Sequence, residues 1–197
     1  ILGLRAARLL NGPRMSDDKY RHKWWGWGLE GIEYDMDARS SLWPWIRQKG
    51  ELGDDPDLRP RVDLSEIRLP PARNTESLAS ALRMVVGDCN VRGDDDDRLV
   101  HCYGRSYRDV ARLRAGIVDT APDLVVYPGG HDDVVRIVEL ATQHGATLVP
   151  FGGGTNVAGC VERTAYDSRP GITLDMRRMN RLLAVDAQSR TADLEPG

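Results

Sequence analysis

The sequence predicts an α+β protein in which a small parallel βαβ unit and the start of a mixed or antiparallel sheet follow an irregular, tryptophan-rich and partly helical N-terminal arm. Three observations predict this order. All five tryptophans lie between residues 24 and 45, helical periodicity begins near residue 74, and apolar strand-like runs alternate with a helix after residue 118. We therefore assign residues 15–117 to the arm and residues 118–197 to the sheet domain. Residues 1–14 stand apart as a non-native or upstream extension.

The tryptophan-rich arm has two interpretations. Aromatic rings beside Arg21 and Lys23 could stack nucleic-acid bases, but base stacking normally comes with a positive groove. The chain has 27 basic and 30 acidic residues, so its charge favours neither nucleic acid nor an anionic membrane surface. We therefore expect the tryptophans to anchor an extended, irregular arm onto the neighbouring domain. The Asp94 to Asp97 run lacks the spacing of a calcium loop and is interpreted as a solvated turn.

Two helices are predicted in the second half of the arm, before the sheet domain. Asn74 and Thr75 offer an N-terminal cap, an apolar stripe follows at helical spacing, and Gly87 can close the end, which gives a helix over 76–86. Ser106 and Asp109 have the S-x-x-D spacing of a capping box, and the helix that follows ends near Gly116.

The sheet domain begins with a strand over 124–127, which is followed by a helix from about His131 to His144 and a strand over 147–149. These three elements predict a βαβ unit with parallel strands and a right-handed connection. A strand over 172–175 follows. Two further strands, 183–186 and 191–194, are predicted to form a hairpin.

Three consecutive glycines, Gly152 to Gly154, come directly after a strand. Glycine reaches backbone angles that other residues avoid, and it lets main-chain N–H groups approach a ligand closely. Thr155 and Asn156 add short hydrogen-bonding side chains, so the loop suits a pyrophosphate. It is neither a Walker loop nor a G-x-G-x-x-G fingerprint, because Val157 occupies the last glycine's place. Without its surroundings the triplet would equally fit a tight turn.

The run Pro150-Phe151-Gly152-Gly153-Gly154-Thr155-Asn156-Val157 resembles the P-[FI]-G-G-G-T-S-V pyrophosphate loop of the flavoproteins related to vanillyl-alcohol oxidase, whose FAD-binding domain is of the PCMH type. The segments 122–128, 131–138, 172–175 and 179–181, together with Lys23-Trp24 and Gly26-Trp27-Gly28, resemble the alkylglycerone-phosphate synthases within that superfamily. The resemblance extends over nearly all of residues 22–197. Two departures are Asn156 in place of serine and Cys160 where glycine is common.

The resemblance implies that residues 118–197 are the first half of a PCMH-type FAD-binding domain. The implied cofactor is FAD, bound without a covalent link, and the implied cofactor-binding residues are Pro150, Phe151, Gly152, Gly153, Gly154, Thr155 and Asn156. Cys160 is expected to be inert. Pro128 would line the adenine side of the pocket, or it simply ends its strand. The family's catalytic residues have no counterpart here and are expected downstream of Gly197.

The implied activity is ether-lipid synthesis from acyl-dihydroxyacetone phosphate and a fatty alcohol, with no net redox change. An FAD-dependent D-lactate or 2-hydroxy-acid dehydrogenase is the alternative within the same fold, because it shares the glycine loop. A non-catalytic interaction module, whose glycine loop is only a turn, is the alternative from another class. The expected partner is a small-molecule or lipid-like substrate, and a homodimer is left open.

Cysteine and histidine usage predicts neither disulfides nor a metal site. Cys89, Cys102 and Cys160 are odd in number and widely spaced, which favours buried, inert thiols in a reducing cytoplasm. Three scattered histidines are interpreted as ordinary surface or cap residues: His101, His131 and His144. No apolar run approaches the roughly 20 residues that span a bilayer. The chain is expected to be an N-terminal fragment, with Met15 as the natural start.

Overall fold

The computed structural model describes residues 22–35, 38–53 and 60–197. The predicted extension over residues 1–14, the start at Met15 and the side chain of Arg21 lie outside these described residues. No helix of the described part is long and apolar enough to cross a membrane.

Five α-helices and six strands form within the described residues. The helices are α1 (Leu42–Gly50), α2 (Glu76–Val86), α3 (Asp95–Val100), α4 (Tyr107–Arg114) and α5 (His131–Gln143). The strands are β1 (Val91–Arg92), β2 (Leu124–Val126), β3 (Thr147–Phe151), β4 (Gly171–Asp175), β5 (Leu182–Asp186) and β6 (Thr191–Leu194). The predicted helix over 76–86, the helix from His131 and the final hairpin are confirmed.

Four strands form one sheet in the order β1, β2, β4, β3. Strand β1 is antiparallel to β2, whereas β2 and β3 both run parallel to β4. The predicted parallel direction of β2 and β3 is therefore confirmed, but the two strands are not neighbours. Strand β4 lies between them, pairing Ile172 with both Leu124 and Leu148. All five residues of β4 are buried, as expected for a central strand covered on both faces.

Two apolar clusters hold the fold together. The first, called the sheet core, lies between the sheet and helices α2 and α5, and its most buried members are Leu78, Leu82, Val126, Ile137, Ala141 and Ile172. The second, called the arm cluster, lies mostly within the N-terminal arm and joins its first part to α3 and α4. Its buried members are Trp24, Ile67, Leu99, Val100, Cys102, Tyr103, Leu113, Val118 and Ala121. These clusters arise because each helix presents one apolar stripe to its neighbours.

The anchoring role predicted for the tryptophans falls mainly on Trp24, which is 4% exposed within the arm cluster. Trp25 packs against the same cluster at its edge. Trp27 and Trp45 are 55% and 56% exposed. The arm is also less irregular than predicted, since Trp43 and Trp45 belong to α1. This nine-residue helix buries no side chain completely, so it left no strong apolar stripe to detect.

The sequence predicts a solvated turn at Asp94 to Asp97; Asp94, Asp95 and Asp96 are exposed, but the run begins a helix, so the turn is wrong. Asp94 is the N-cap of α3, its carboxylate accepting a hydrogen bond from the backbone N–H of Asp97 at 3.0 Å. The acidic residues that follow form the first turn, where negative charge is favoured by the helix dipole. Helix α3 has only six residues, which is too short for helical periodicity to emerge from the sequence.

The carboxylate of Asp123 links distant parts of the chain. It accepts hydrogen bonds from the backbone N–H groups of Arg73 and Gly171, both at 2.8 Å. It also pairs with the guanidinium groups of Arg73 and Arg163 at 3.2 and 3.5 Å. Because Asp123 is 2% exposed, these donors supply the compensation that a buried carboxylate requires. Arg73, in the middle of the arm, is thereby fixed to the start of β4.

Candidate functional site

The carboxyl ends of the three parallel strands meet at one edge of the sheet. Strand β2 leads into Tyr127 and Pro128, β3 leads into the glycine loop, and β4 leads into a short 3₁₀ turn, Met176–Arg178. Open α/β sheets bind their ligands outside this edge. Residues separated by about fifty positions in sequence are therefore brought together where a ligand is expected.

The glycine loop is shaped by Phe151 and Gly154. Phe151 is 2% exposed at the end of β3, and its ring lies beneath the loop. Gly154 has φ +66°, and a Cβ added there would lie 2.8 Å from the Cζ atom of Phe151. A side chain at this position would therefore meet both a disfavoured backbone conformation and an occupied space.

The loop presents unused hydrogen-bond donors. Among the residues that the structure describes, none accepts a hydrogen bond from the backbone N–H groups of Gly152, Gly153, Gly154 or Thr155. Gly153 and Thr155 are exposed. Successive N–H groups without side-chain obstruction form a concavity suited to an anion. The pyrophosphate site predicted from the glycine triplet therefore stays a prediction, with these N–H groups as its candidate donors.

Asn156 closes the exit of the loop. Its side-chain Oδ1 accepts hydrogen bonds from the backbone N–H groups of Ala158 and Cys160 at 3.2 and 3.0 Å. The amide oxygen is therefore used inside the loop. Its NH₂ group remains the part of this side chain suited to a phosphate oxygen.

The backbone of Asn156 is held from the other side by the segment before α4. Its carbonyl accepts a hydrogen bond from the N–H of Arg105 at 2.6 Å. A Cβ at Gly104 would overlap that same carbonyl oxygen, so the close approach requires glycine. The guanidinium of Arg105 donates to the carbonyl of Lys23 at 3.0 Å. Arg105 consequently connects the arm to the loop.

A buried polar network lies behind Phe151. The His101 ring is 4.5 Å from the Phe151 ring between centroids, and its Nε2 lies 2.7 Å from Oδ2 of Asp175. Arg177 donates to the same Oδ2 from its side-chain Nε at 2.7 Å, and its backbone N–H donates to Oδ1 at 2.9 Å. The side chains of His101 and Asp175 are completely buried.

Burial and hydrogen bonding shift the pKa values of Asp175 and Arg177 in opposite directions. Burial alone would raise the pKa of the Asp175 carboxyl, but the hydrogen bonds from His101 and Arg177 outweigh it and hold that pKa below its ordinary value. Burial also disfavours the charged form of Arg177, yet the Asp175 carboxylate raises its pKa overall. Burial, followed by the charges of Asp97 and Asp175, raises the pKa of Tyr127. The Tyr127 phenol is therefore neutral.

The sequence did not identify this network. His101 is the C-cap of α3, which agrees with the prediction of a surface or cap histidine, but it is 1% exposed and its ring takes part in a buried network that was not predicted. His131 and His144 fit the prediction, since both are exposed at the two ends of α5. The available signal was the position of Asp175 at the end of a strand whose other residues are uncharged. The pairing itself joins residues 74 positions apart, which no local pattern reveals.

The sequence also made predictions for Pro128 and for the three cysteines. Pro128 is buried two residues after β2 ends, at the edge that carries the glycine loop. Cys102 is buried, and that burial raises the pKa of its thiol to about 12. Cys89 and Cys160 are exposed, so the prediction of three buried thiols is wrong for these two. Turns at the surface place them outside both apolar clusters.

The comparisons with known proteins agree with this geometry. Residues 122–197 match the family model described as an FAD binding domain. An alkyldihydroxyacetonephosphate synthase of Trypanosoma brucei brucei is 38% identical over 93% of the chain, which covers 33% of that relative. The corresponding synthase of Dictyostelium discoideum is 34% identical over 72% of the chain, covering 23% of the relative. The chain thus spans at most about a third of the length of these relatives.

A solved structure of an alkyldihydroxyacetonephosphate synthase superposes on 90% of the chain with a TM-score of 0.74 and 29% identity, and the match covers 37% of that structure. A match of this length extends over most of the arm as well as the sheet domain. Matches to a D-lactate dehydrogenase are weaker, at 26% identity over 62% of the chain.

Proposed function

Because the chain belongs to the superfamily of PCMH-type FAD-binding proteins and resembles the alkyldihydroxyacetonephosphate synthases, we propose that the full-length protein exchanges the acyl group of acyl-dihydroxyacetone phosphate for a fatty alcohol. The observation that supports this most directly is the length of the match: similarity to these synthases covers the arm as well as the FAD-binding segment. The match to a D-lactate dehydrogenase is less extensive, at 62% of the chain.

We assign the pyrophosphate of FAD to the loop formed by Pro150, Phe151, Gly152, Gly153, Gly154, Thr155 and Asn156. The proposal is supported by the unused N–H groups of residues 152–155 and by the positive φ of Gly154, a conformation that favours a residue without a side chain. Bound FAD supplies the electron-accepting centre of such enzymes. The residues present here bind and orient the cofactor, while the reacting groups are expected downstream of Gly197.

We further propose that FAD is held without a covalent bond. Cys160 is the thiol nearest to the loop in sequence, but its backbone N–H is engaged by Asn156, and its Sγ lies 4.0 Å from the carbonyl oxygen of Ala158. The described structure offers no positively charged contact that would activate this thiol. No histidine belongs to the loop.

The experiment that tests both proposals is an absorption spectrum of the full-length protein, followed by heat denaturation and assays. We expect flavin bands that move to the supernatant on denaturation, and release of fatty acid only when acyl-dihydroxyacetone phosphate and a fatty alcohol are both supplied. Flavin that stays with the precipitate would contradict non-covalent binding. Oxidation of D-lactate without activity on the acylated substrate would favour the dehydrogenase instead.

A well-folded full-length protein that takes up no FAD would favour the non-catalytic interaction module.

We also propose a cytoplasmic location and a homodimer. The location is supported by the free thiols of Cys89, Cys102 and Cys160. Light scattering on the purified full-length protein tests the dimer.

A further inference from the structure

Residues 103–105, called the pre-α4 segment, lie against the exit of the glycine loop. All three are buried, and they belong to no helix or strand, so no regular backbone pattern maintains their shape. The backbone N–H of Arg105 donates to the carbonyl oxygen of Asn156 at 2.6 Å, and Gly104 leaves room for that carbonyl because it has no Cβ. The position of Asn156 therefore depends on what holds the pre-α4 segment.

The guanidinium of Arg105 holds this segment. Its Nη1 donates to the carbonyl oxygens of Tyr103 and Gly104 at 3.3 and 2.9 Å, and its Nη2 donates to the carbonyl oxygen of Lys23 at 3.0 Å. Arg105 is 4% exposed, so water has little access to these carbonyl groups. The planar fork of an arginine can donate to several oxygens at once, which the shorter amide of glutamine cannot do from the same position.

The carbonyl group of Lys23 belongs to a folded part of the arm. The backbone N–H of Lys23 donates to the carbonyl oxygen of Gly28 at 3.0 Å, and its side-chain Nζ donates to that of Ile32 at 2.7 Å. Trp24, the next residue, is 4% exposed within the arm cluster. Arg105 therefore ties the pre-α4 segment to a piece of the arm that is itself anchored.

The glycine loop is consequently held at its two ends by different parts of the fold. At the first end, Phe151 is a buried residue of β3. At the second end, Asn156 is held through its carbonyl group by Arg105. The candidate phosphate donors, the N–H groups of residues 152–155, lie between these two points. Donors that already converge bind an anion more tightly, because ordering them during binding costs free energy.

We propose that the N-terminal arm sets the affinity for FAD through Arg105, a positioning residue that holds Asn156, and with it the exit of the glycine loop, in place. The proposal rests on the FAD site assigned above. It adds a dependence of that site on residues outside the segment 122–197 that matches the FAD binding domain. Because coupling between two sites is reciprocal, bound FAD should in turn hold the pre-α4 segment and Lys23 more firmly.

The first test compares two buried arginines of the arm in the full-length protein, freed of cofactor and titrated with FAD by flavin fluorescence. Arg98 is the matched control for Arg105. It is also 4% exposed, and its guanidinium donates to the carbonyl oxygens of Pro70 and Pro122 at 2.6 and 2.8 Å. Pro122 precedes β2, so that contact lies at the amino ends of the parallel strands, opposite the glycine loop.

We expect Arg105→Gln to bind FAD about tenfold more weakly than the wild type, and Arg98→Gln to bind it within about threefold. Urea denaturation, followed by circular dichroism, should show that both substitutions destabilise the fold, because each leaves buried carbonyl groups without a donor. A purely structural role of Arg105 would lower the unfolding midpoint without this selective loss of affinity. Wild-type affinity in Arg105→Gln, or equal weakening in Arg98→Gln, would overturn the proposal.

Hydrogen exchange of the wild type, followed by mass spectrometry, covers the case in which Arg105→Gln does not fold. We expect FAD to slow exchange about fivefold in peptides that contain Lys23 and Arg105, and to leave α1 unchanged, because α1 buries no side chain. Unaltered exchange at Lys23 and Arg105 in protein that has bound FAD overturns this proposal but not the proposed function. Equal slowing in α1 also overturns it, since the whole fold would then be stabilised. A protein that takes up no FAD contradicts the proposed function itself.

Discussion

At the scale of single residues, the three loop glycines are not equivalent. Gly154 has a positive φ and faces the Phe151 ring, whereas a Cβ at Gly153 would only reach Thr155 at 3.9 Å. The sequence predicts a ligand loop from the triplet together with its surroundings, because glycine reaches backbone angles that other residues avoid. It does not rank the three glycines, since their conformations depend on how Phe151 is packed. That packing comes from residues of α3 and β4.

We expect Gly154→Ala to weaken FAD binding of the full-length protein at least tenfold. The left-handed conformation costs a non-glycine residue about 1–2 kcal/mol, and the contact with Phe151 adds to it. The matched control is Gly153→Ala, which we expect to change the FAD dissociation constant less than threefold, because that position has neither strain nor a clash. Equilibrium titration with FAD measures both. Equal effects of the two substitutions would contradict the role assigned to Gly154.

At the scale of elements, helix α4 shows that a short sequence motif can predict where a helix begins. Its predicted capping box is confirmed: Ser106 Oγ accepts from the N–H of Asp109 at 3.1 Å, and Asp109 Oδ2 accepts from the N–H of Ser106 at 3.3 Å. Helices α2 and α5 could also be predicted from the sequence, because their apolar stripes continue for three turns. Helix α3 was missed because six residues show no period. The position of β4 between β2 and β3 is set by pairing across the chain.

We expect Ser106→Ala to destabilise α4 by about 1 kcal/mol, the usual cost of losing an N-cap side chain. Hydrogen exchange of the α4 amides, followed by mass spectrometry, should then accelerate about fivefold if exchange occurs by local opening. Ser80→Ala, at an exposed position inside α2, is the control. It should leave exchange in α2 unchanged or slower, because alanine is the better helix former. Unaltered exchange in Ser106→Ala would mean that the arm cluster alone holds the helix.

At the scale of the whole molecule, the N-terminal arm is part of the folded body rather than an appendage. Trp24 fills the arm cluster, Arg73 is fixed by Asp123, and Arg105 joins the arm to the glycine loop. The sequence predicted an anchored arm but did not say which tryptophan anchors it. The choice depends on which ring reaches Tyr103 and Leu113, and those residues are contributed by a distant segment.

We expect Trp24→Ala to lower the free energy of unfolding by about 3–5 kcal/mol, as for other buried aromatic residues. Trp27→Ala is the control, because that ring is 55% exposed, and we expect a change within about 0.5 kcal/mol. Urea denaturation of the full-length protein, followed by circular dichroism, measures the difference. Similar midpoints for the two variants would show that the arm contributes little to stability.

The strand order also constrains how the protein is made. Synthesis proceeds from the N-terminus, so β2 and β3 leave the ribosome before β4, although β4 is the strand to which both pair. Until residue 175 has emerged, each of these apolar strands lacks its parallel neighbour, and the glycine loop has no Asp175 behind it. Unpaired strand edges invite association with other chains. During this interval β2, β3 and the glycine loop, which later form the proposed cofactor site, are not yet held together by β4. They are then prone to associate with other chains.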